Sequence, residues 1–230
     1  MTPSNLEILA LENTELGPLC LRRRELLASP GTVVTEITLN HHFLMSSRHT
    51  DSEEALAGVA LEMHQGSGLD VLVGGLGLGY TAHAALSSPR VASVRAVEFL
   101  PQVIEWLDGD LLPLSIPLAG DERFSVVRGD AYALLAEPPS TTYDLVLIDI
   151  DHAPHDRLSE GDGAFYTEEG LRRARRHLAP GGVLGVWSWA ESSPFSRALR
   201  VVFDEVRVEA VTFFVDAVNE ERTDWLFFGR

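Results

Sequence analysis

Three acidic residues of this chain stand where apolar runs end, and each has the chemistry of a ligand-binding or catalytic group. They are Glu98, Asp130 and Asp149. A carboxylate can accept hydrogen bonds from a ligand's hydroxyl or amino groups, and it can take a proton from an attacking amine. Because the carboxyl ends of parallel strands meet at one edge of a sheet, the three acids are predicted to line one ligand site.

A glycine-rich turn with the sequence GGLGLG precedes the first of these acids. It occupies residues 74–79, follows the apolar run 69–73 and leads into a helix-forming stretch, after which the run 91–98 ends in Glu98. This order of strand, glycine turn, helix, strand and acid is typical of the first βαβ unit of a Rossmann-type nucleotide site. The residues predicted to contact an adenosyl ligand here are Gly75, Gly77, Leu78 and Gly79.

The predicted cofactor is S-adenosylmethionine or its decarboxylated form, because no second mononucleotide-binding half follows as a dinucleotide would require. Glu98 is suited to two ribose hydroxyls. Asp130 precedes Ala131 at the start of a predicted helix, where it can cap the helix and accept a hydrogen bond from adenine. Asp149 would lie beside the reactive sulfonium and deprotonate or orient an amine. The alternative for Asp149 is a structural aspartate bonded to loop amides.

Asp151 and His152 follow Asp149 directly and are predicted to complete the catalytic set. Imidazole titrates near neutral pH, so His152 could act as an auxiliary base. Together with His155 and Asp156 these residues could also bind a divalent metal. Acids and histidines of a substrate loop more often bind substrate or one another, so no metal site is predicted.

The charge of the chain disfavours some partners. Lys and Arg number 18 and Asp and Glu number 34, which gives a formal charge of −16. Such acidity argues against a nucleic-acid partner and is compatible with a small cationic amine, although a charged, solubilising surface explains it equally well. With neither a signal peptide nor a run of eighteen apolar residues, we expect a cytoplasmic protein with no membrane partner.

Alternating strands and helices must position these residues from position 69 onward. Strands are predicted at 69–74, 91–98, 124–128, 143–150 and 182–189. Helices are predicted at 79–87, 101–108, 130–136, 167–177 and 193–204. The final segments, 206–215 and 225–229, have no helix between them and should form an antiparallel edge hairpin. The pattern predicts an α/β protein with a Rossmann-like class I methyltransferase fold and a mostly parallel seven-stranded sheet.

Residues 1–50 differ from the rest and are predicted to form a small β-rich appendage. The β-prone segments 16–27 and 32–39 flank a turn at Ser29-Pro30-Gly31, and 41–46 could add a short strand. Residues 51–230 are then the adenosyl-binding catalytic domain, which starts with a helix.

Several motifs together resemble the spermidine synthase (polyamine aminopropyltransferase) family. They are residues 71–79, Ala96-Val97-Glu98, Gly129-Asp130-Ala131, 144–149, Phe165-Tyr166-Thr167 and 178–182. The resemblance implies that Glu98 binds ribose, Asp130 binds adenine and Asp149 deprotonates the attacking amine. It also implies a homodimer.

Three features depart from the family pattern. The family's glycine turn usually contains an Asp that contacts the donor's amino group, and the matching position here is Leu78. A second acid usually follows three residues after the catalytic Asp, where this chain has His152 next to Asp151. The Tyr-His pair common before the turn is not evident near Glu53 and Glu54. Loss of the first acid would remove repulsion of a donor carboxylate, and loss of the second argues against putrescine as acceptor.

The expected activity is therefore transfer of a methyl or aminocarboxypropyl group from S-adenosylmethionine to an amine or another small-molecule nucleophile. The alternative is aminopropyl transfer from the decarboxylated donor to a changed amine acceptor. A third reading is a non-catalytic adenosyl-binding protein, against which Asp149 argues.

Overall fold

Two sheets make up the fold. A computed structural model describes residues 6–27, 29–150, 164–215 and 219–230. The first sheet is antiparallel and consists of β1 (Leu6–Thr14), β2 (Gly17–Glu25), β3 (Val33–Leu39) and β4 (His42–Ser46), in that spatial order. Strand β1 was not predicted. It is an edge strand with a register irregularity, so its apolar residues do not alternate regularly.

The second sheet has seven strands with helices between them. Its first elements are α1 (Asp51–Met63), β5 (Leu69–Gly74), α2 (Tyr80–Leu86), β6 (Val91–Glu98), α3 (Pro101–Asp108), α4 (Ser115–Ala119) and β7 (Phe124–Arg128). Then come α5 (Ala131–Ala136), β8 (Tyr143–Ile148), α6 (Glu168–Arg175), β9 (Leu178–Ser188), α7 (Ser193–Val202), β10 (Val206–Val215) and β11 (Glu220–Gly229). The short helix α4 was not predicted.

The spatial order of the large sheet is β10-β11-β9-β8-β5-β6-β7. Strands β5 to β9 run parallel, and β11 and β10 pair antiparallel at the edge. The predicted α/β class, Rossmann-like fold, seven-stranded sheet and edge hairpin are confirmed. Strand β9 begins at Leu178 rather than at 182, because Tyr143 pairs with Leu178 ahead of a register shift.

A single apolar cluster joins the two sheets. Leu19, Leu21 and Ile37 on the first sheet are fully buried in the same cluster as Leu56 of α1 and Leu78 of the glycine turn. The first sheet therefore packs over the turn that the sequence assigns to the ligand. The predicted division into domains at residue 50 stays a prediction.

The topology leaves a crevice at the carboxyl end of β5. The chain leaves β5 for β6 on one side, and β8 lies on the other side, so Gly74 pairs with Val97 and with Ile148. This is the switch point at which open α/β sheets bind ligands. Among the residues that the structure describes, no helix is both long enough and apolar enough to span a membrane.

Candidate active site

A cavity of about 170 Å³ lies at this carboxyl edge. The predicted site residues that line it are Gly75, Gly77, Glu98, Asp130, Ala131 and Asp149. A cavity of about 470 Å³ beside Phe203 and Arg230 contains none of them and lies near the start of β9. The crevice thus brings together three acids that follow three different strands.

The opposite wall of the cavity is apolar and comes from the first sheet. It consists of Leu16, Ile37, Leu39, Leu44 and Met45. Sequence reasoning missed these residues, because β-prone segments with apolar side chains carry no signal for what they cover. Such a wall can exclude water from an adenosyl group while the acids fix its orientation.

Glu98 is held rigidly by the backbone on both sides of it. Its Oε2 accepts a hydrogen bond from the Leu76 amide at 2.8 Å, and its Oε1 accepts one from the Leu100 amide at 2.8 Å. Burial raises the pKa of Glu98, and these amide bonds act in the opposite direction. The amides of Gly77 and Phe99 also lower its pKa, so four backbone amides surround a carboxylate that accepts about four hydrogen bonds, and ribose hydroxyls would have to share its oxygens with them.

We expect Glu98→Gln to weaken binding of an adenosyl donor by roughly 10- to 100-fold, because hydrogen bonds to a charged group are worth about 1.5–3 kcal/mol. The amide NH₂ would also face one of the two backbone amides that now donate to the side chain. Calorimetric titration measures the donor affinity. Glu105→Gln, an exposed change on α3, is the matched control. Unchanged donor affinity in Glu98→Gln would contradict the ribose assignment.

Asp130 caps α5 at the cavity rim. Its Oδ1 accepts a hydrogen bond from the Ala133 amide at 3.0 Å. Ala131 is buried directly behind it, and Tyr132 also lines the cavity. The cap leaves the second carboxyl oxygen able to accept from an amino group, so the helix-capping role and the predicted adenine contact are compatible.

The glycine turn brings backbone against two neighbouring segments. Gly75 has a φ of +92°, and a Cβ there would lie 2.1 Å from the main-chain oxygen of Asp149. At Gly77, whose φ is +52°, a Cβ would lie 2.5 Å from Met45 Cε. Gly79 precedes α2, and a Cβ there would lie 2.5 Å from a Leu118 methyl. The turn therefore has no room for side chains at these positions.

The side chain of Leu78 points away from the cavity, and the predicted contact of this residue with the donor stays a prediction. That side chain is 2% exposed and packs in the apolar core, and it does not line the cavity. The positive φ of Gly77 and of Gly79 gives the turn the shape that directs Leu78 inward. At the cavity itself, the space beside the turn is occupied by the Met45 thioether over Gly77.

Asp149 follows β8 and sits at the centre of the crevice. Its amide donates to the Gly74 carbonyl oxygen at 2.8 Å, and its Oδ2 accepts from Thr81 Oγ1 at 2.6 Å. Burial raises the pKa of Asp149 to about 6; the Thr81 hydrogen bond lowers it and the charge of Asp224 raises it further. A carboxyl group with this pKa is mostly ionised at pH 7 and can accept a proton.

The predicted catalytic residues Asp151 and His152 lie outside the described residues, as do His155 and Asp156. Within the described ranges, no group of three His, Cys, Asp or Glu side chains is arranged to hold a metal ion.

Two further acids near Asp149 were not predicted as site residues. Glu53 lies in the first turn of α1 and Asp224 on β11, and Ser52 Oγ lies 2.8 Å from a carboxyl oxygen of each. Trp187 Nε1 donates to the same hydroxyl at 3.0 Å. Burial and the charge of Asp149 raise the pKa of Glu53 to about 8. From the sequence, Glu53 is predicted only to lie at the start of a helix, and no sequence pattern indicates a role for Asp224.

No protein-family model matches the chain. Over 118 residues, 50% of this chain, it is 35% identical to polyamine aminopropyltransferase 2 of Streptomyces coelicolor. That match spans about a fifth (21%) of the relative's own length.

The fold matches solved structures over nearly the whole chain. A spermidine synthase crystallised with the transition-state analogue AdoDATO superposes with a TM-score of 0.74 and 19% identity, over 96% of this chain and 73% of that one. Spermidine synthase from Thermotoga maritima gives a TM-score of 0.73 at 19% identity, over 96% and 72% of the two chains. The likeness establishes the fold, and the predicted resemblance to this family is confirmed.

Proposed function

We propose that this protein, which has the fold of spermidine synthases, transfers an aminopropyl group from decarboxylated S-adenosylmethionine to a small-molecule amine. The observation that carries the proposal is the position of Asp149, whose carboxyl group lies in the crevice beside the glycine turn and accepts a hydrogen bond from Thr81. The name of the Streptomyces relative and the AdoDATO bound to a structural neighbour support the same chemistry.

The cavity suits an adenosyl donor in one orientation. Glu98 would accept from the ribose hydroxyls, and Asp130 would accept from the adenine amino group. The Met45 side of the cavity would cover the donor's apolar edge. The sulfonium would then lie toward Asp149, whose main chain packs against Gly75, whereas Met45 packs against Gly77.

In the transfer, the amine nitrogen attacks the aminopropyl carbon that is bonded to sulfur. A C–N bond forms and the C–S bond breaks, and its electron pair stays on sulfur, so the sulfonium becomes a neutral thioether. The nitrogen gives one proton to Asp149. The Thr81 hydroxyl holds the Asp149 carboxylate in position for this transfer.

Charge around the cavity favours the decarboxylated donor, which carries a sulfonium and an ammonium but no carboxylate. Glu98, Asp130 and Asp149 all face the cavity, and none of the described residues lining it is Lys or Arg. A donor carboxylate would meet repulsion and find no basic partner there.

We expect the decarboxylated donor to bind at least about tenfold more tightly than S-adenosylmethionine, which corresponds to about 1.4 kcal/mol. Separate calorimetric titrations measure the two affinities, and mass spectrometry of reactions with a mixture of amines identifies the product. An amine gain of one aminopropyl group supports the proposal. Equal or tighter binding of the ordinary donor would contradict it.

The second candidate is methyl or aminocarboxypropyl transfer from ordinary S-adenosylmethionine. The observation in its favour is the wall beside the glycine turn, where Met45 covers Gly77 with a neutral thioether instead of an acid. The mass gained by the acceptor distinguishes all three transfers. A homodimer and a cytoplasmic location stay predictions from the sequence.

A further inference from the structure

A second carboxyl group stands beside the proposed base and comes from a different part of the fold. Thr81 Oγ1 lies 2.6 Å from Asp149 Oδ2 and 3.3 Å from the main-chain oxygen of Glu53. One hydroxyl therefore ties the start of α1 to the end of β8. That contact is with the Glu53 main chain; the Glu53 side chain, which Ser52 Oγ contacts at 2.8 Å, is separately near enough to Asp149 for the charge of Asp149 to raise its pKa.

We propose that Glu53 is a specificity-determining residue, which holds the positively charged nitrogen of the acceptor amine while Asp149 takes a proton from it. The inference rests on the proposed function and extends it to the acceptor class: amines that are cationic at neutral pH. A neutral hydroxyl or thiol acceptor would gain nothing from a second carboxylate.

The Glu53 carboxyl group is fixed in place by neighbours. Ser52 Oγ contacts Glu53 Oε2 and Asp224 Oδ2, both at 2.8 Å, and Trp187 Nε1 donates to that hydroxyl. The half-buried Glu53 is thus more than a solvated acid at a helix start, and its orientation is set before any ligand arrives.

The same contacts require a proton. A serine hydroxyl can donate one hydrogen bond, yet two carboxyl oxygens lie at hydrogen-bond distance from Ser52 Oγ. For both contacts to be hydrogen bonds, either Glu53 or Asp224 must carry a proton and donate it to the hydroxyl. Glu53 and Asp224 therefore share one proton. An ammonium group that binds there can supply the positive charge in place of that proton, which is then released.

The charged groups around Glu53 are also consistent with one bound proton at this site. Among the described residues, the charges of Asp149 and Asp224 raise the pKa of Glu53, and the charge of Arg222 lowers the pKa of Asp224. The charge of Glu53 in turn raises the pKa of Tyr80. Burial and the charge of Asp149 both raise the pKa of Glu53, so Glu53 is the acid of this pair that more readily holds a proton. Binding of an ammonium should therefore release a proton from Glu53.

An alkylammonium nitrogen has three N–H donors, so it can bond to both carboxylates at once. When Asp149 removes one proton, the nitrogen gains the lone pair that attacks the donor carbon. The remaining hydrogen bond to Glu53 keeps the nitrogen in line with that carbon. The two acids therefore have different tasks, which their different proton affinities permit.

The first test compares Glu53→Gln with Glu54→Gln. Glu54 is the exposed neighbour on the same helix turn and accepts only from the Thr50 hydroxyl within the described structure. We expect Glu53→Gln to raise KM for a diamine acceptor such as 1,5-diaminopentane by roughly 10- to 100-fold. Donor affinity should stay within about twofold, and Glu53→Asp should recover part of the loss. Glu54→Gln should change neither quantity.

The second test measures the proton. Calorimetric titration of the protein with the diamine at pH 7, in buffers of different ionisation enthalpy, reports how many protons binding releases. We expect release from the native protein and from Glu54→Gln, and none from Glu53→Gln. This result needs no turnover, so it separates the inference from the proposed function. Absence of any aminopropyl product would overturn the function alone, whereas unchanged KM and proton release in Glu53→Gln would overturn the role of Glu53.

Discussion

Asp149→Asn is expected to lower kcat by roughly 10²- to 10⁴-fold, the usual contribution of a general base, whereas donor affinity should fall by less than about tenfold, since only one of the three negative charges facing the cationic donor is lost. The amide has the shape of the carboxyl group and can keep the Thr81 contact, but it cannot take a proton from the amine. Asp108→Asn, an exposed change at the end of α3, is the control. Native-like turnover in Asp149→Asn would show that proton transfer goes elsewhere.

The pH dependence of kcat/KM tests the role of Asp149 independently. Because burial raises the pKa of Asp149 to about 6, kcat/KM of the native protein should fall as the pH drops through about 6. A rate profile between pH 5 and 9 measures this limb, and it should be missing from the residual activity of Asp149→Asn. A native profile with no fall near pH 6 would count against Asp149 as the base.

Stability should change in the opposite direction from activity. The pKa of Asp149 is raised on folding, from 3.8 to about 6, so its contribution to the free energy of unfolding is fully present below pH 3.8. That contribution is lost as the pH rises through about 6. At pH 8 the folded protein holds a buried charge that the Asn variant lacks. Thermal unfolding of Asp149→Asn at pH 8 should therefore occur at the native temperature or above it.

The strand-end acids and the glycine turn could be predicted because their signals are local. An apolar run, a glycine cluster and an acid after the next run occur within thirty residues, and the sheet topology then determines where they meet. The signals for Asp130 are also local, since a helix start and a strand end can both be predicted from the sequence around it.

Glu53 and Asp224 could not be predicted together, because the fold alone brings them to one hydroxyl. Ser52 and Asp224 are 172 positions apart, and they meet because α1 packs beside β11 at the antiparallel edge of the sheet. The orientation of the Leu78 side chain could not be predicted for a different reason. Glycines permit positive φ without requiring it, so the direction of the side chain between Gly77 and Gly79 is visible only in the folded turn.

Gly75→Ala is expected to destabilise the fold by roughly 2–6 kcal/mol and to remove donor binding. A non-glycine residue in this φ region costs about 1–3 kcal/mol, and forcing an extra carbon into a packed site costs about as much again. Its Cβ would lie 2.1 Å from the Asp149 main-chain oxygen, and backbone cannot rotate out of the way as a side chain can. Chemical denaturation measures the loss.

Two other glycines separate the causes of that loss. Gly31 also has a positive φ, of +87°, but nothing lies within 4 Å of its Cβ position, so Gly31→Ala should cost only the backbone strain, about 1 kcal/mol. Gly58 lies in α1 with open space around it, and Gly58→Ala should stabilise the protein by up to about 1 kcal/mol. If Gly75→Ala cost no more than Gly31→Ala, the contact with Asp149 would be loose. A larger cost would mean that the atoms which close the glycine turn also fix the position of the base.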